Sequence, residues 1–346
     1  MARIGIMGCG VVAGYGHLPA IAQVADLTLA AFFEPGAARR AEIAALYPHA
    51  VPCATTEEFF AQRLDAVSVT SPAPCHRDNV LAAARAGCHV LCEKPLAMDA
   101  AEVAEMAAAV EHAGKRLFTC FVYRYAQPAQ EIRRLVRERA IGEVRALRLI
   151  YNWNCHGKWT TAADGTRTIN ARREGRMVEG GPMVDCGTHQ IDLARWWLGQ
   201  EVVAESGHGA WIDEQTYPDH VWLHLTHSGG AHTMIEMSYS YLHTAAEPRY
   251  DQFRYELIGT EGVIRYDHES AGFEVRNQQG TQHLPFAKDA KDFAAAYRDF
   301  ARFLTTGETG DLGSVRDGLE AVRLARSVTE RVTSARRMGI TASASA

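Results

Sequence analysis

The chain has 346 residues, 47% of them hydrophobic and 22% charged, with a formal net charge of −5. That length suits two domains with full cores, and that balance is the one of an ordinary globular protein. The acidic balance argues against general nucleic-acid binding, no apolar run approaches the ~20 residues of a membrane span, and the pattern passes from Met1 straight into a strand, with no secretory leader expected.

The first element is the apolar run Ile4–Met7, followed by Gly8-Cys9-Gly10-Val11-Val12-Ala13. A strand, a glycine turn and a helix in that order make a dinucleotide-binding fingerprint. Gly8 permits the turn, Gly10 lets a pyrophosphate approach the backbone, and the small Ala13 lets helix and strand pack closely. The helix start supplies unpaired N–H groups for the phosphates. Glu34 ends the next apolar run, Leu27–Phe33. It lies about 20 residues past Ala13, where an acid binds the adenosine ribose hydroxyls. A carboxylate there favours NAD over NADP, since it repels a 2′-phosphate, although Arg39 and Arg40 lie close by.

Further strands are expected at Ala66–Thr70, His89–Cys92 and Leu117–Phe121, alternating with alanine-rich amphipathic stretches such as Asp78–Ala86 and Ala100–His112. Such alternation predicts a doubly wound parallel sheet. Glu93-Lys94-Pro95 follows the strand His89–Cys92, at the sheet edge where open α/β sheets bind ligands. Pro95 restricts the backbone of Lys94.

The pattern changes after Arg124. Gln130–Arg139 reads as a helix and Val144–Trp153 as a long strand. Period-two alternation follows: Val221, Leu223 and Leu225 against Trp222, His224 and Thr226, then Ile235, Met237, Tyr239 and Tyr241. Ser228-Gly229-Gly230 and Gly259-Thr260-Glu261-Gly262 are hairpin signals. The second domain is therefore α+β, with a large, mostly antiparallel open sheet. Phe293, Tyr297, Phe300 and Leu304, and then Val315, Leu319, Val322 and Val332, are helical stripes read as core packing. These observations give a dinucleotide-binding domain over residues 1–123, a substrate-binding and oligomerisation domain over 124–338, and a disordered tail over 339–346.

Between the strand Val144–Trp153 and the alternating strands from Val221 lies Gly180-Gly181-Pro182-Met183-Val184-Asp185-Cys186-Gly187-Thr188-His189. Pro182 suits the first turn of a helix and Gly199 its end. Asp185 and His189 are then i and i+4 on one face, a carboxylate and an imidazole suited to proton transfer near neutral pH. Asn154 to Glu179 is long, polar and without clear periodicity. Trp159 there can stack on a sugar face and an arginine can grip a carboxylate, though a solvated basic loop or an arm to a partner subunit fits as well.

The glycine turn with His17-Leu18-Pro19, Ser71-Pro72 with His76, Glu93-Lys94-Pro95 and Asp185-x-Gly187-x-His189 together resemble the glucose–fructose oxidoreductase/inositol dehydrogenase family, in order from Arg3 to about Arg337. The resemblance implies a Rossmann domain, a second domain with a large open sheet, and a nicotinamide cofactor. It places Lys94, Asp185 and His189 at the reacting carbon: His189 as acid/base, Lys94 polarising the oxygen, Asp185 positioning the substrate. Cofactor contacts are then expected from Gly8, Gly10, Val11, Val12, Ala13, Glu34, Ser71, Pro72, His76, Glu93 and Lys94. Substrate contacts are expected from Tyr123, Arg124, Trp159, Asp185 and His189. For His76 a purely structural role at a helix start fits equally.

The expected activity is hydride transfer between NAD and a secondary alcohol or ketone of a sugar, polyol or sugar derivative. Two alternatives remain open at this point: glycoside cleavage through transient oxidation, and a nicotinamide-binding sensor without turnover. No metal is expected, because the histidines show no ligand spacing and hydride transfer needs none. Eight cysteines without a Cys-x-x-Cys pair predict free buried thiols in a reducing cytoplasm. A homodimer or homotetramer is expected, with the outer face of the second sheet, including Trp222, meeting a partner.

Overall fold

The structure is a computed structural model that describes residues 1–213, 215–242, 252–285 and 291–338. The chain forms two compact units. One takes Met1–Tyr125 and Lys291–Val322, and the other takes the remaining described residues.

The first unit is built on β1 (Ala2–Met7), β2 (Leu27–Phe33), β3 (Val51–Cys53), β4 (Ala66–Val69), β5 (His89–Cys92) and β6 (Leu117–Thr119). They pair in parallel in the order β6-β5-β4-β1-β2-β3, and the short strand Gly313–Ser314 adds antiparallel to β6. Apolar clusters pack against this sheet: one holds Ile4, Ile6, Leu29 and Phe32, the other Met7, Val67, Val69 and Val90. Burial on both faces explains why these strands read as continuous apolar runs rather than alternating ones.

In this unit two strands escape a reading of the sequence. Val51-Pro52-Cys53 is short, carries a proline and leaves Val51 exposed, all traits of an edge strand. Gly313–Ser314 has only two residues.

The domain boundary is also corrected. The sequence pattern puts the helix Phe293–Thr306 in the second domain, but it packs in the first, where Phe293, Tyr297 and Phe300 join the cluster around Ile4 and Ile6. Gly16 explains the fit, since a Cβ there would lie 2.7 Å from the Phe293 ring.

The second unit contains β7 (Val144–Asn152), a separate ribbon of β8 (Trp159–Thr161) and β9 (Arg167–Ile169), then β10 (Val202–Ala210), β11 (His220–His227), β12 (His232–Ser238), β13 (Gln252–Gly259), β14 (Gly262–Asp267), β15 (Gly272–Asn277) and β16 (Gly280–Pro285). Without the ribbon these make an eight-stranded sheet in the order β10-β11-β12-β7-β13-β14-β15-β16. Only β12 and β7 pair in parallel. The two glycine-containing hairpin signals close the β11–β12 and β13–β14 turns.

One face of the sheet buries Leu147, Leu149, Leu223, Ile235, Tyr255 and Leu257. The helices Gln127–Arg137 and Thr188–Leu198 lie against each other, with Trp197 Nε1 donating to the Ala129 carbonyl at 2.9 Å and its ring edge-on to Tyr255. The expected tail, 339–346, lies outside the described residues.

Candidate functional site

In the first unit the chain turns sharply after β1. Gly8 has φ +92°, and a Cβ there would lie 2.6 Å from the Ser71 Cα. The turn is pinned by Gly8 N–H donating to the Phe33 carbonyl (2.9 Å) and by the Thr70 hydroxyl donating to the Gly8 carbonyl (2.6 Å). Gly10 differs: it is exposed, and nothing lies within 4 Å of its Cβ position. The space beside Gly10, before the helix start, is therefore open.

Residues 11–23 then run helically, with one π-turn over Ala13–His17. Val11 is exposed, Val12 half-buried and Ala13 buried. Glu34 ends β2 and bends over the turn: Oε2 accepts from Cys9 N–H at 3.0 Å and Oε1 from Gly36 N–H at 2.9 Å. A carboxylate offers about four acceptor positions, so acceptor capacity remains beyond these two bonds. Arg39 donates from Nε to the Cys9 carbonyl at 2.6 Å and pairs with Glu42, which places a guanidinium beside the same turn.

Ser71 faces Gly8, and its hydroxyl accepts from Asn79 at 2.9 Å. His76 is fully buried, and its ring nitrogens lie 2.9 Å from the carbonyls of Pro95 and Ser71. Burial drives its pKa below the ordinary imidazole value despite those carbonyls. This environment suits the structural role at a helix start: the ring sits between the Ser71 and Pro95 carbonyls, and its one N–H, when neutral, donates to one of them.

Lys94 itself is half-buried. The Lys94–Pro95 bond is cis. Glu93 is 8% exposed, and its carboxylate accepts from the Lys94 N–H at 3.2 Å.

The Tyr123-Arg124 expectation is corrected in part. Arg124 is buried and its guanidinium reaches Asp317 at 3.0 Å and the carbonyls of Asp311 and Leu312 at 3.4 Å. It ties the strand Gly313–Ser314 and the last helix to the end of the sheet, a structural task. Tyr123 is buried too, with Lys291 Nζ 5.1 Å from its ring centre.

In the second unit, residues 181–198 run helically and include one π-turn over Met183–Gly187. The regular i, i+4 spacing expected for Asp185 and His189 is therefore interrupted by a wider turn, a feature frequent at functional sites. Gly199 ends the helix in the left-handed conformation, as its type predicts. Asp185 and His189 are both buried.

The Tyr239 hydroxyl donates to Asp185 Oδ2, the Cys186 thiol donates to the same atom at 3.6 Å, and Arg176 Nε lies 3.6 Å away. Burial works against the charge on Arg176, but Asp185, Glu179 and Tyr239 hold its pKa above the usual guanidinium value. Burial first, and then Asp185, push the Tyr239 phenol well up, so it remains a donor. Trp153 stands edge-on to Tyr239 and to His156, whose pKa falls to about 4 through burial and the charge of Arg172. A carboxylate, a phenol, a guanidinium and an indole around one buried point can orient a polyhydroxylated molecule.

The sequence singles out neither Tyr239 nor Arg176. Tyr239 reads only as a step in a strand alternation, and Arg176 as one of several arginines in a polar stretch.

That stretch is ordered. After the β8–β9 ribbon comes the helix Ala171–Val178, capped by Asn170. Arg173 is 1% exposed and bonds the Tyr239 carbonyl and the Ser240 hydroxyl, next to Asp213. Asp219, fully buried, accepts from the N–H groups of Ile212 and Asp213 and from Ser240. Arg173 thus anchors the segment at Tyr239 and Ser240. Trp159, expected to stack on substrate, is 46% exposed on the ribbon beside Lys158.

Comparison with known proteins gives a consistent picture. Residues 2–121 match a family model described as an oxidoreductase family with an NAD-binding Rossmann fold, and residues 129–265 match the GFO/IDH/MocA C-terminal domain. The chain is 33% identical over 203 residues to D-glucoside 3-dehydrogenase of Escherichia coli, covering 57% of this chain and 54% of that one, so it spans about half the length of that relative. It is 28% identical over 323 residues to inositol 2-dehydrogenase 2 of Saccharopolyspora erythraea, covering 90% and 86%.

Among solved structures, aldose-aldose oxidoreductase from Caulobacter crescentus complexed with glycerol superposes with a TM-score of 0.78 at 24% identity over 98% of both chains. An oxidoreductase from Agrobacterium radiobacter in complex with NAD+, L-tartaric acid and magnesium gives 0.81 at 19% identity over 96% of both. At these identities the structures support the fold.

Proposed function

The chain belongs to the GFO/IDH/MocA family of oxidoreductases, and from that premise we propose that it is an NAD-dependent dehydrogenase or reductase acting on a secondary alcohol or ketone of a sugar or polyol. The observation that carries the reading is the environment of Asp185, a buried carboxylate next to a phenol donor, a guanidinium and an indole, in the helix that also bears His189. Relatives named for glucoside and inositol oxidation support the substrate class.

Gly8, Gly10, Val11, Val12, Ala13, Glu34, Ser71 and Pro72 would hold the dinucleotide. Bound NAD supplies the hydride acceptor. His189 takes the proton of the substrate hydroxyl, Lys94 stabilises the negative charge that develops on that oxygen, and Asp185 accepts a neighbouring hydroxyl. Free buried thiols at Cys88, Cys92 and Cys120 fit a reducing cytoplasm.

The experiment is a panel of sugars and polyols with NAD, read by absorbance of the reduced cofactor. His189→Ala and Lys94→Ala should each cut turnover by about 10²–10⁴-fold with NAD affinity nearly unchanged. Asp185→Asn should raise KM as well as lower kcat. Full turnover in His189→Ala with an unaltered pH–rate profile would reassign the base. Product formed without accumulating NADH would point instead to transient oxidation.

We further propose that a second copy of the chain covers the outer face of the eight-stranded sheet. That face carries a charge ladder: Arg148–Glu256 and Glu256–Arg265 across strands at 3.2 and 2.8 Å, then Glu274–Arg276 along β15 at 2.7 Å. Charges already neutralised within the face are the kind that a two-fold copy of the same face can meet.

A further inference from the structure

We propose that His17 is a positioning residue for Lys94, acting through Glu93 and backed by Tyr297 and Ser68. The inference rests on the reading of Lys94 as the group that stabilises the reacting oxygen. Ser68, Tyr297 and His17 are all fully buried. The Ser68 hydroxyl lies 2.5 Å from the Tyr297 hydroxyl, which lies 2.8 Å from His17 Nδ1, and His17 Nε2 lies 2.9 Å from Glu93 Oε1.

The three contacts join in one hydrogen-bonded chain that ends on the carboxylate. In the arrangement we assign, Ser68 donates to Tyr297, Tyr297 donates to His17 Nδ1, and His17 Nε2–H donates to the Glu93 carboxylate. All donors in that arrangement run toward the carboxylate, so each bond polarises the next. The other carboxylate oxygen accepts the Lys94 N–H at 3.2 Å. A buried carboxylate deprived of a donor carries a large desolvation cost. Without His17, therefore, Glu93 would turn or take up a proton, and the backbone of Lys94 would lose its tether. On the far side, the Pro95 carbonyl lies 2.9 Å from His76 Nδ1. The Glu93-Lys94-Pro95 turn is thus flanked at both ends by buried imidazoles.

The chain's geometry explains why His17 has this reach. It is the last residue of the π-turn in the helix that begins at the glycine turn. The same helix segment seats on Phe293 through Gly16, and Phe293 and Tyr297 are one turn apart on their helix. One rigid piece therefore sets both the open end of the glycine turn and the tether of the lysine.

His17, Glu93 and Cys120 also bring three ligand atoms within 4.8 Å of one another, a spacing that a metal ion would accept. The His17 and Glu93 atoms are already engaged in the hydrogen-bonded chain. The Cys120 thiol, pushed well up by burial and by Glu93, stays protonated as a further donor.

The test compares His17→Leu, His17→Gln and Tyr297→Phe with the native chain, each alone and combined with Lys94→Ala. Hydrogen exchange at the Lys94 amide needs no substrate. It should accelerate by roughly tenfold or more in His17→Leu, while exchange in β1 and β2 stays constant. Turnover on the best substrate of the sugar and polyol panel should fall roughly tenfold to a hundredfold, the usual consequence of a small misplacement. His17→Gln, whose side-chain amide reaches the Nε2 position, should restore most of both. In the Lys94→Ala background His17→Leu should add nothing further.

If His17→Leu does not fold, Tyr297→Phe, which removes a single hydroxyl, carries the same expectation in smaller degree. Additive losses in the double variant, an unmoved Lys94 amide, or one equivalent of zinc in the purified protein would each overturn the proposal. Full turnover by Lys94→Ala would instead remove the premise, and exchange at Lys94 would still read the His17–Glu93 link.

Discussion

Gly8 and Gly10 stand two residues apart in one turn under different constraints, and substitution separates them. Alanine at position 8 meets a positive φ, and its methyl group would stand 2.6 Å from the backbone of Ser71. Gly8→Ala should lose about 1–3 kcal/mol of folding stability, read as a lower urea midpoint. Alanine at position 10 meets nothing within 4 Å. Gly10→Ala should keep the native midpoint and weaken NAD binding, measured by titration calorimetry. A normal dissociation constant for that variant would place the pyrophosphate elsewhere. Glu34 supports a related expectation. Its carboxylate has two backbone N–H partners and acceptor capacity left for a ribose diol, and its charge repels a 2′-phosphate. NAD should bind more tightly than NADP, and Glu34→Ala should narrow the gap, with Arg39 beside the turn free to favour the phosphate once the carboxylate is gone. At this scale the sequence carried the turn and the acid well, because backbone conformation and charge are properties of single residues. It carried Arg124 poorly and left His76 open. Both are polar residues in suggestive motifs, yet both meet carbonyls or acids that only the folded chain brings near.

The elements follow the same division. Buried parallel strands and the β11–β12 and β13–β14 hairpins were readable because their signals are local: continuous apolar runs, period-two alternation and glycine turns. The helix Phe293–Thr306 was readable as an element but not as a neighbour of β1, because its partner lies almost three hundred residues away in the chain and no local pattern names it. The π-turns at Ala13–His17 and Met183–Gly187 left no mark in composition. β11 also carries a pH dependence. Its last residue, His227, is 1% exposed, and its pKa falls to about 4, chiefly through burial and also through Arg195 and His232. The folded value thus lies below the unfolded value of about 6.5. Above that unfolded value both states are neutral, and nothing is lost. As pH falls from about 6.5 to about 4 the unfolded chain takes up a proton that the folded chain refuses, so stability declines by up to about 1.4 kcal/mol per pH unit. His156, also lowered to about 4, adds in the same direction. The urea midpoint should drop between about pH 7 and about pH 5, and His227→Gln should shrink that drop. An equal drop in the variant would remove His227 from the account.

For the whole molecule the open question of chemistry is what covers the outer face of the eight-stranded sheet. Its inner face is buried beneath the helices of its own unit, as an open antiparallel sheet requires on one side. Its outer face is neither a greasy surface nor a field of one sign. Across β7, β13, β14 and β15 it alternates Arg148, Glu256, Arg265, Glu274 and Arg276 in contact. Toward β10–β12 it changes to Trp222, His224, His232 and Met234, with His224 Nδ1 and His232 Nε2 at 3.2 Å. Isolated exposed ion pairs contribute little to a monomer, roughly 0–1 kcal/mol each, so stability alone gives little reason for a ladder of this length. A second copy of the same face gives a stronger one, because it would take the ladder out of water and bury the Trp222 patch. Light scattering at micromolar concentration should therefore report a dimer or tetramer. Reversing two rungs, Glu256→Arg with Glu274→Arg, leaves the sheet's buried face untouched but places five like charges in one field. It should shift the particle to the mass of one chain while leaving its circular dichroism unchanged. A native protein of monomer mass, or a reversed variant that keeps its oligomer, would show that the ladder serves the sheet alone.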